Sequence, residues 1–282
     1  MKITLSAPAK INLTLKITGL REDGYHLLES VMQGVSLADT LILETVPSGI
    51  LLSCTKSHIP TDEKNLCHKA ARKYFEAAGI DGGVKIHLIK CIPDGAGMGG
   101  GSSDAAAVLK GLKALYPSDV DLCEIAASIG ADVSFFLQGQ TQLCSGVGEV
   151  MEPLSLPQKA ILSCVITKPA QGLSTPEIYK RYDQSGSEFS KPMSPAEREK
   201  LERGDLSALF SLLCNDLELP AISALPEIAL HKETLLSLGA DCAMMTGSGS
   251  AVFGLFLDEQ RARACEKALR ESGQETYFCS LL

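Results

Sequence analysis

Residues 93–104 read Pro-Asp-Gly-Ala-Gly-Met-Gly-Gly-Gly-Ser-Ser-Asp, and five of these twelve positions are glycine. Just upstream, Val84, Ile86 and Leu88 alternate with Lys85 and His87, the period of a half-buried strand. Just downstream, Val108, Leu109, Leu112 and Leu115 form one apolar stripe, which predicts a helix over residues 103–116. Glycine permits positive φ and lets the backbone approach a ligand closely. The helix start presents unpaired N–H groups at the positive end of the helix dipole, an anion site. Ser102 or Ser103 is expected to cap that helix. The segment therefore reads as a phosphate cradle, built from Pro93, Asp94, Gly95, Ala96, Gly97, Met98, Gly99, Gly100, Gly101, Ser102 and Ser103.

Three kinds of phosphate loop must be separated. A Walker loop requires Lys after its last glycine, and here Gly100 is followed by Gly101 and Ser102. Gly95, Gly97 and Gly100 match a dinucleotide fingerprint letter for letter, but a second strand ending in an acidic residue about 20 positions on is missing. Asp119 and Asp121 lie near that distance, in a turn after Pro117. The third kind is the glycine-serine loop of a small-molecule kinase. The plain alternative is a flexible surface loop, which five glycines feeding a helix exceed.

Composition bounds the partners. Lys and Arg total 26 and Asp and Glu 34, a formal net charge of −8 in 282 residues. That balance disfavours nucleic acid, which recruits basic patches. It leaves room for a small anionic ligand, because such a site depends on local groups. No basic residue lies between Lys90 and Lys110, so the cradle is expected to rely on backbone N–H groups. Lys2, Lys10 and Lys16 interrupt the start of the chain, so no secretory signal is expected there. No run of about 18 apolar residues suggests a membrane span. The ten cysteines are scattered without a C-x-x-C pair and read as reduced thiols, most of them in the core. The expectation is a cytoplasmic globular protein with no membrane, nucleic-acid or obligate protein partner.

The length suggests about two domains, divided near Pro153 into residues 1–153 and 154–282. Ile11, Leu13, Leu15 and Ile17 alternate with Asn12, Thr14, Lys16 and Thr18, which predicts a half-buried strand over 10–18. Lys10 and Asn12 then share its polar face. Residues 19–26 read as a loop, 41–44 and 50–54 as short strands, 64–78 and 121–129 as helices. In the second half a strand over 160–167 precedes helices over 177–182, 195–203, 206–214 and 226–238. Strands over 241–245 and 251–257, a helix over 259–272 and a strand over 275–280 follow. With the helices grouped, the order is β-α-β-β-α-β, a ferredoxin-like unit.

Three segments carry a resemblance. PAKINLTL at 8–15, PDGAGMGGGSSDAA at 93–106 and TGSGSAVF at 246–253 resemble the three motifs of the GHMP kinases. The resemblance implies an α+β, two-lobed fold. Its β-rich N-terminal lobe would be like ribosomal protein S5 domain 2, and its C-terminal lobe ferredoxin-like. DGYHLLESVM at 23–32, GADVSFFLQG at 130–139, STPEIY at 174–179 and NDLE at 215–218 are similar to one branch of that family. Members of that branch phosphorylate the 2-hydroxyl of a cytidine diphosphate ester of methylerythritol with ATP and Mg²⁺.

Roles follow from both sources. Phosphoryl transfer needs the triphosphate held, the hydroxyl aligned and developing charge balanced. Asp132 lies in Gly-Ala-Asp ahead of Val133, Phe135 and Phe136, where a carboxylate can sit in a partly dry site or simply cap a following turn. The resemblance makes it the catalytic Asp and makes Lys10 the catalytic Lys, with Asn12 holding substrate or orienting Lys10. Tyr25 and His26 carry over as the cytosine site, Tyr179 as a second stacking ring and Thr175 as a contact to the ribose or cytosine. Ser102 and Ser103 carry hydroxyls for phosphate oxygens or for Mg²⁺, and the sequence identifies no carboxylate ligand for the metal. His58, His68, His87 and His231 have no ligand spacing and read as structural or solvated.

Overall fold

The computed structural model describes residues 1–282. In chain order the elements are β1 (Lys2–Asn12), β2 (Thr14–Leu20), β3 (His26–Val46), β4 (Gly49–Cys54), α1 (Leu66–Ala78), β5 (Gly83–Ile89) and α2 (Gly100–Leu115). Next come α3 (Leu122–Ala127), α4 (Ala131–Gln138), β6 (Thr141–Ser145), β7 (Val150–Pro153), a 3₁₀ turn at Pro157–Ile161 and β8 (Ser163–Lys168). Then follow α5 (Thr175–Ser185), α6 (Pro195–Glu202), α7 (Leu206–Leu212), β9 (Cys214–Asn215), α8 (Glu218–Ala224) and α9 (Glu227–Ser237). The chain ends with β10 (Cys242–Met245), β11 (Val252–Phe256), α10 (Glu259–Glu271) and β12 (Glu275–Ser280).

These elements form two compact units. The first comprises Met1–Ala9, Ala38–Pro93 and Gly99–Gly139, the second Lys10–Leu37, Asp94–Met98 and Gln140–Leu282. In the first unit β5 pairs antiparallel with Thr40–Val46 of β3 and parallel with β4. Helix α2 packs on α1 and α4. Gly111 brings α2 close to the sheet, since a Cβ there would sit 2.6 Å from Leu5 Cδ1 and 2.7 Å from Leu43 Cδ2. Asn65 caps α1 by accepting from Cys67 N, and Gly79 ends it in the left-handed region.

In the second unit β3 pairs antiparallel with β2 over 26–29 and with β6 over 30–33. A separate sheet has the order β10-β11-β8-β12, antiparallel throughout. Its chain order, with α9 and α10 packed on it, is the expected ferredoxin-like arrangement. Its core joins Val165, Val252 and Phe256 to Ile228, Leu235, Ala262 and Leu269.

The second-half elements match the expected ones within a few residues, with the 3₁₀ turn, β9 and α8 unforeseen. The first half departs more. The strand expected over 10–18 is two strands interrupted at Leu13, and both faces of residues 10–15 are buried. The loop expected over 19–26 is shorter, and the strand expected at 41–44 is the end of the 21-residue β3. Its middle has no clean alternation, because a strand paired and covered on both sides has no solvent face to reveal its period. Of the ten thiols, five are buried, three half-buried and two exposed, so fewer lie in the core than expected.

Candidate functional site

The glycine tract leaves β5 and turns through Gly95 (φ +59°), Gly97 (φ +72°) and Gly99 (φ +70°). Alternate left-handed residues demand glycine. At Gly97 the demand is doubled, because a Cβ would collide with the carbonyl oxygen of Thr246. Helix α2 starts at Gly100 with Gly99 as N-cap and no side-chain cap. This corrects the expected serine cap. The helix begins earlier than its apolar stripe suggests, so both serines lie inside the first turns. Ser103 is buried and its hydroxyl donates to Pro8 O at 2.6 Å, while Ser102 is half-buried. The first intrahelical bond here runs from Ser103 N to Gly99 O. The amides of Gly100, Gly101 and Ser102 therefore precede the helical ladder and are donors for an anion. Pro93, Ala96 and Met98 are buried anchors, whereas Asp94 and Gly95 are exposed.

Within the second unit, three segments converge on residues 95–98. Lys10 N donates to Met98 O at 3.1 Å. Ser250 N and Ala251 N donate to Gly95 O and Ala96 O at 3.4 and 3.3 Å. The Lys10 ammonium, 4% exposed, donates to Gly97 O at 2.8 Å and to Asn12 Oδ1 at 2.7 Å. Lys10 and Asn12 do share a face, as their spacing requires. That face is buried, and it brings an ammonium to the loop from 87 residues away, although the loop itself carries no basic residue. Asn12 is fixed on every side. Its Nδ2 donates to Ser30 Oγ at 2.7 Å, and its backbone N–H donates to Thr246 Oγ1 at 3.0 Å.

The same unit holds a cleft of about 450 Å³, lined by Tyr25, His26, Val147, Thr175, Tyr179 and Asp183 among others. The Tyr179 and His26 ring centroids are 4.9 Å apart at 35°. Tyr182 meets His26 edge-on at 5.9 Å. Asp183 Oδ1 lies 2.6 Å from His26 Nε2, which orients the imidazole. Burial raises the Tyr182 phenol, with Asp216 and Asp183 adding to it. Tyr25 is 65% exposed at the rim. Thr175 is exposed, and its hydroxyl is 2.7 Å from Ser248 Oγ. Flat rings around a mostly open slot suit a planar heterocycle.

Asp132 belongs to the first unit. It is half-buried in the first turn of α4, which follows Gly130 and buries Val133, Phe135 and Phe136. It is thus neither a cap nor a loop residue: it projects from the first turn of a helix. No cluster of three or more His, Cys, Asp and Glu side chains could hold a metal by itself. Mg²⁺ prefers hard oxygens and is usually held by one or two protein groups plus phosphates. The half-buried Ser102 hydroxyl is a hard oxygen of that kind.

Sequence reading assigned no role to several residues that shape the site. Asn215 Nδ2 donates to Met245 O at 2.8 Å and Gly247 O at 2.9 Å, holding the loop at 246–250. Asp216 Oδ2 accepts from Ile17 N at 2.7 Å. Both lie in the NDLE segment, whose polar pair ahead of an apolar run was the available signal. Asp183 carried no signal, since one acid on a polar helix looks solvated.

Residues 65–140 match the model for the GHMP kinase N-terminal domain, and residues 198–275 the model for the GHMP kinase C-terminal domain. A 4-diphosphocytidyl-2-C-methyl-D-erythritol kinase from Syntrophomonas wolfei is 40% identical over 99% of this chain and 98% of its own. A crystal structure of 4-(cytidine 5'-diphospho)-2C-methyl-D-erythritol kinase is 41% identical, with a TM-score of 0.85 over 99% of both chains. The homoserine kinase of Cytophaga hutchinsonii, 20% identical with a TM-score of 0.76 over 99% of this chain and 95% of its own, shares the fold. Matched by the family in both halves and similar to one branch along almost its entire length, the chain belongs to the GHMP kinases and, within them, to the 4-diphosphocytidyl-2-C-methyl-D-erythritol kinases.

Proposed function

We propose that this chain transfers the γ-phosphoryl group of ATP to the 2-hydroxyl of 4-diphosphocytidyl-2-C-methyl-D-erythritol, giving the 2-phosphate and ADP in the non-mevalonate route to isoprenoid precursors. The observation that carries the catalytic assignment is the Lys10 ammonium, buried and bonded to the backbone of the glycine loop at Gly97 O. A fixed cation on a phosphate cradle, desolvated in advance, balances charge as it develops on the transferred group.

The chemistry balances. The 2-hydroxyl oxygen attacks the γ-phosphorus, its proton passes to the Asp132 carboxylate, and the bond to the β–γ bridging oxygen breaks with its electron pair staying on ADP. The amides of Gly100, Gly101 and Ser102 hold phosphate oxygens, and residues Pro93 to Gly99 shape the loop around them. Mg²⁺, bound with ATP, would be met by the Ser102 hydroxyl and would offset phosphate charge. Asn12 fixes Lys10 through its Oδ1. Tyr25 and Tyr179 stack on cytosine, His26 bonds its polar edge and Thr175 contacts the ribose. In this reading residues 1–153 and 154–282 are the family's two domains, supported by family matches on either side of that boundary. The reaction needs no protein partner and belongs in the cytoplasm, where ATP is supplied.

The test is an ADP-release assay offering cytidylated methylerythritol, mevalonate and homoserine in turn. Turnover is expected with the first alone. Turnover with either of the others, and none with the first, overturns the assignment.

A further inference from the structure

A cluster of buried charge lies outside the residues assigned above. Lys90 follows β5 directly, Asp39 lies on β3, and Asp104 sits in the second turn of α2. Lys90 Nζ is paired with Asp39 Oδ2 and, at 2.9 Å, with Asp104 Oδ2. Asp39 Oδ1 accepts the backbone N–H groups of Cys91 at 2.5 Å and Ile92 at 2.8 Å. The Lys90, Asp39 and Asp104 side chains are 4%, 0% and 2% exposed. The second oxygen of Asp104, Oδ1, is buried without a hydrogen bond.

Two carboxylates facing one ammonium is a costly way to fill a core. The Asp104 carboxyl is raised to about 7, chiefly by burial, with Lys90 opposing the rise and the like charge of Asp39 adding to it. Burial works against the charge of Lys90 as well, but the two carboxylates outweigh it and hold the amine above its usual range. The Cys67 thiol on α1 is raised by burial and by the nearby Asp104. Apolar side chains of similar volume generally stabilise a core as well as such a cluster. What an apolar trio would not supply is fixed position.

The positions fixed are the two ends of the glycine loop. Asp39 clamps the amides of Cys91 and Ile92, immediately before Pro93. Lys90 clamps Asp104, immediately after Ser103. The cluster also touches the loop's helical end, because a Cβ on Gly100 would lie 3.1 Å from Lys90 Nζ and from Ile92 Cγ2. With its exits pinned to one ammonium, the glycine-rich segment surrenders much of its freedom before any ligand arrives. Donors that are already ordered cost less entropy when they bind.

We propose that Lys90, bridging Asp39 and Asp104, is a positioning residue that fixes both ends of the glycine loop and thereby sets the affinity for ATP. The proposal rests on the reading of that loop as the ATP site. Asp104→Ala cuts the tether to α2 and leaves Lys90 and Asp39 as a balanced pair, so it isolates the effect. Binding of a non-hydrolysable ATP analogue is measured by calorimetry, and steady-state kinetics are run with each substrate varied. Asp104→Ala is expected to weaken analogue binding and raise KM for ATP about tenfold or more, with KM for the alcohol within about twofold and kcat within about threefold. Asp104→Asn, which keeps an acceptor for Lys90, should recover most of the loss. A folded Asp104→Ala protein that binds the analogue like the wild type overturns the proposal. So does a loss spread equally over both KM values and kcat, the mark of general destabilisation. Should Asp104→Ala fail to fold by circular dichroism, Asp104→Asn must show at least about a threefold rise confined to ATP, and an unchanged value overturns the proposal. A wild type that binds no analogue overturns the ATP reading of the loop and the proposal with it; a binding wild type beside an unchanged variant overturns the proposal alone.

Discussion

Lys10 and Asp132 illustrate how a residue's chemistry depends on what surrounds it. The sequence put Lys10 and Asn12 on one strand face, and a spacing of two guarantees that in any extended chain. It did not say that the face is buried, nor that the ammonium ends on Gly97 O. Those facts depend on residues brought together from far along the chain. Asp132 was legible as a carboxylate beside aromatic residues, but not as a member of α4, because an eight-residue helix after Gly130 carries too few positions to show a period. If its carboxylate takes the hydroxyl proton, Asp132→Asn should bind the ATP analogue as the wild type does while kcat falls about 10²- to 10⁴-fold. A variant with wild-type kcat in a coupled assay would remove Asp132 from that role.

At the scale of the element, the glycine loop and α2 show which glycines matter for which reason. Gly97 is left-handed and pressed against Thr246 O, so a Cβ is excluded by conformation and by space. Gly101 lies in helical backbone, and the nearest atom to a Cβ there is Leu66 Cδ1 at 3.8 Å. Gly97→Ala should therefore destabilise the fold by more than about 1 kcal/mol, whereas Gly101→Ala should change stability by no more than about 0.5 kcal/mol. Urea unfolding of both variants checks this, and equal effects would contradict the packing argument. The loop and the helix after it were plain from composition and periodicity. The missing serine cap was not, because the cap depends on where the chain turns, and Gly99 turns it before either serine is reached.

For the molecule as a whole, stability is tied to pH through buried groups. His231 on α9 is half-buried, with its Nδ1 at 2.9 Å from Thr167 Oγ1 on β8. Burial holds its pKa below the usual imidazole range, and Glu227 only partly offsets this. The folded state thus resists a proton that the unfolded chain accepts near pH 6.5. His231 contributes stability above that pH, and the contribution is lost as pH falls through and below it. Between pH 7.5 and 5.5, the urea midpoint of the wild type should drop further than that of His231→Gln. Parallel pH profiles would show that His231 carries no such linkage.

The α+β class, the ferredoxin-like order of the second half, the glycine loop and the GHMP kinase motifs were determined by the sequence itself. The second-half order and the glycine loop are written in local spacing, as period two, period three to four, or a run of glycine, whereas the class and the motifs were read from the resemblance of residues 8–15, 93–106 and 246–253 to the GHMP kinases. The tertiary structure alone decided which side chains meet. Asn215 supports the loop at 246–250 from 30 residues away, and Lys90 joins Asp39 to Asp104 across a separation of 51 positions on one side and 14 on the other. Contacts of that kind follow from register and packing, which no local pattern of residues encodes.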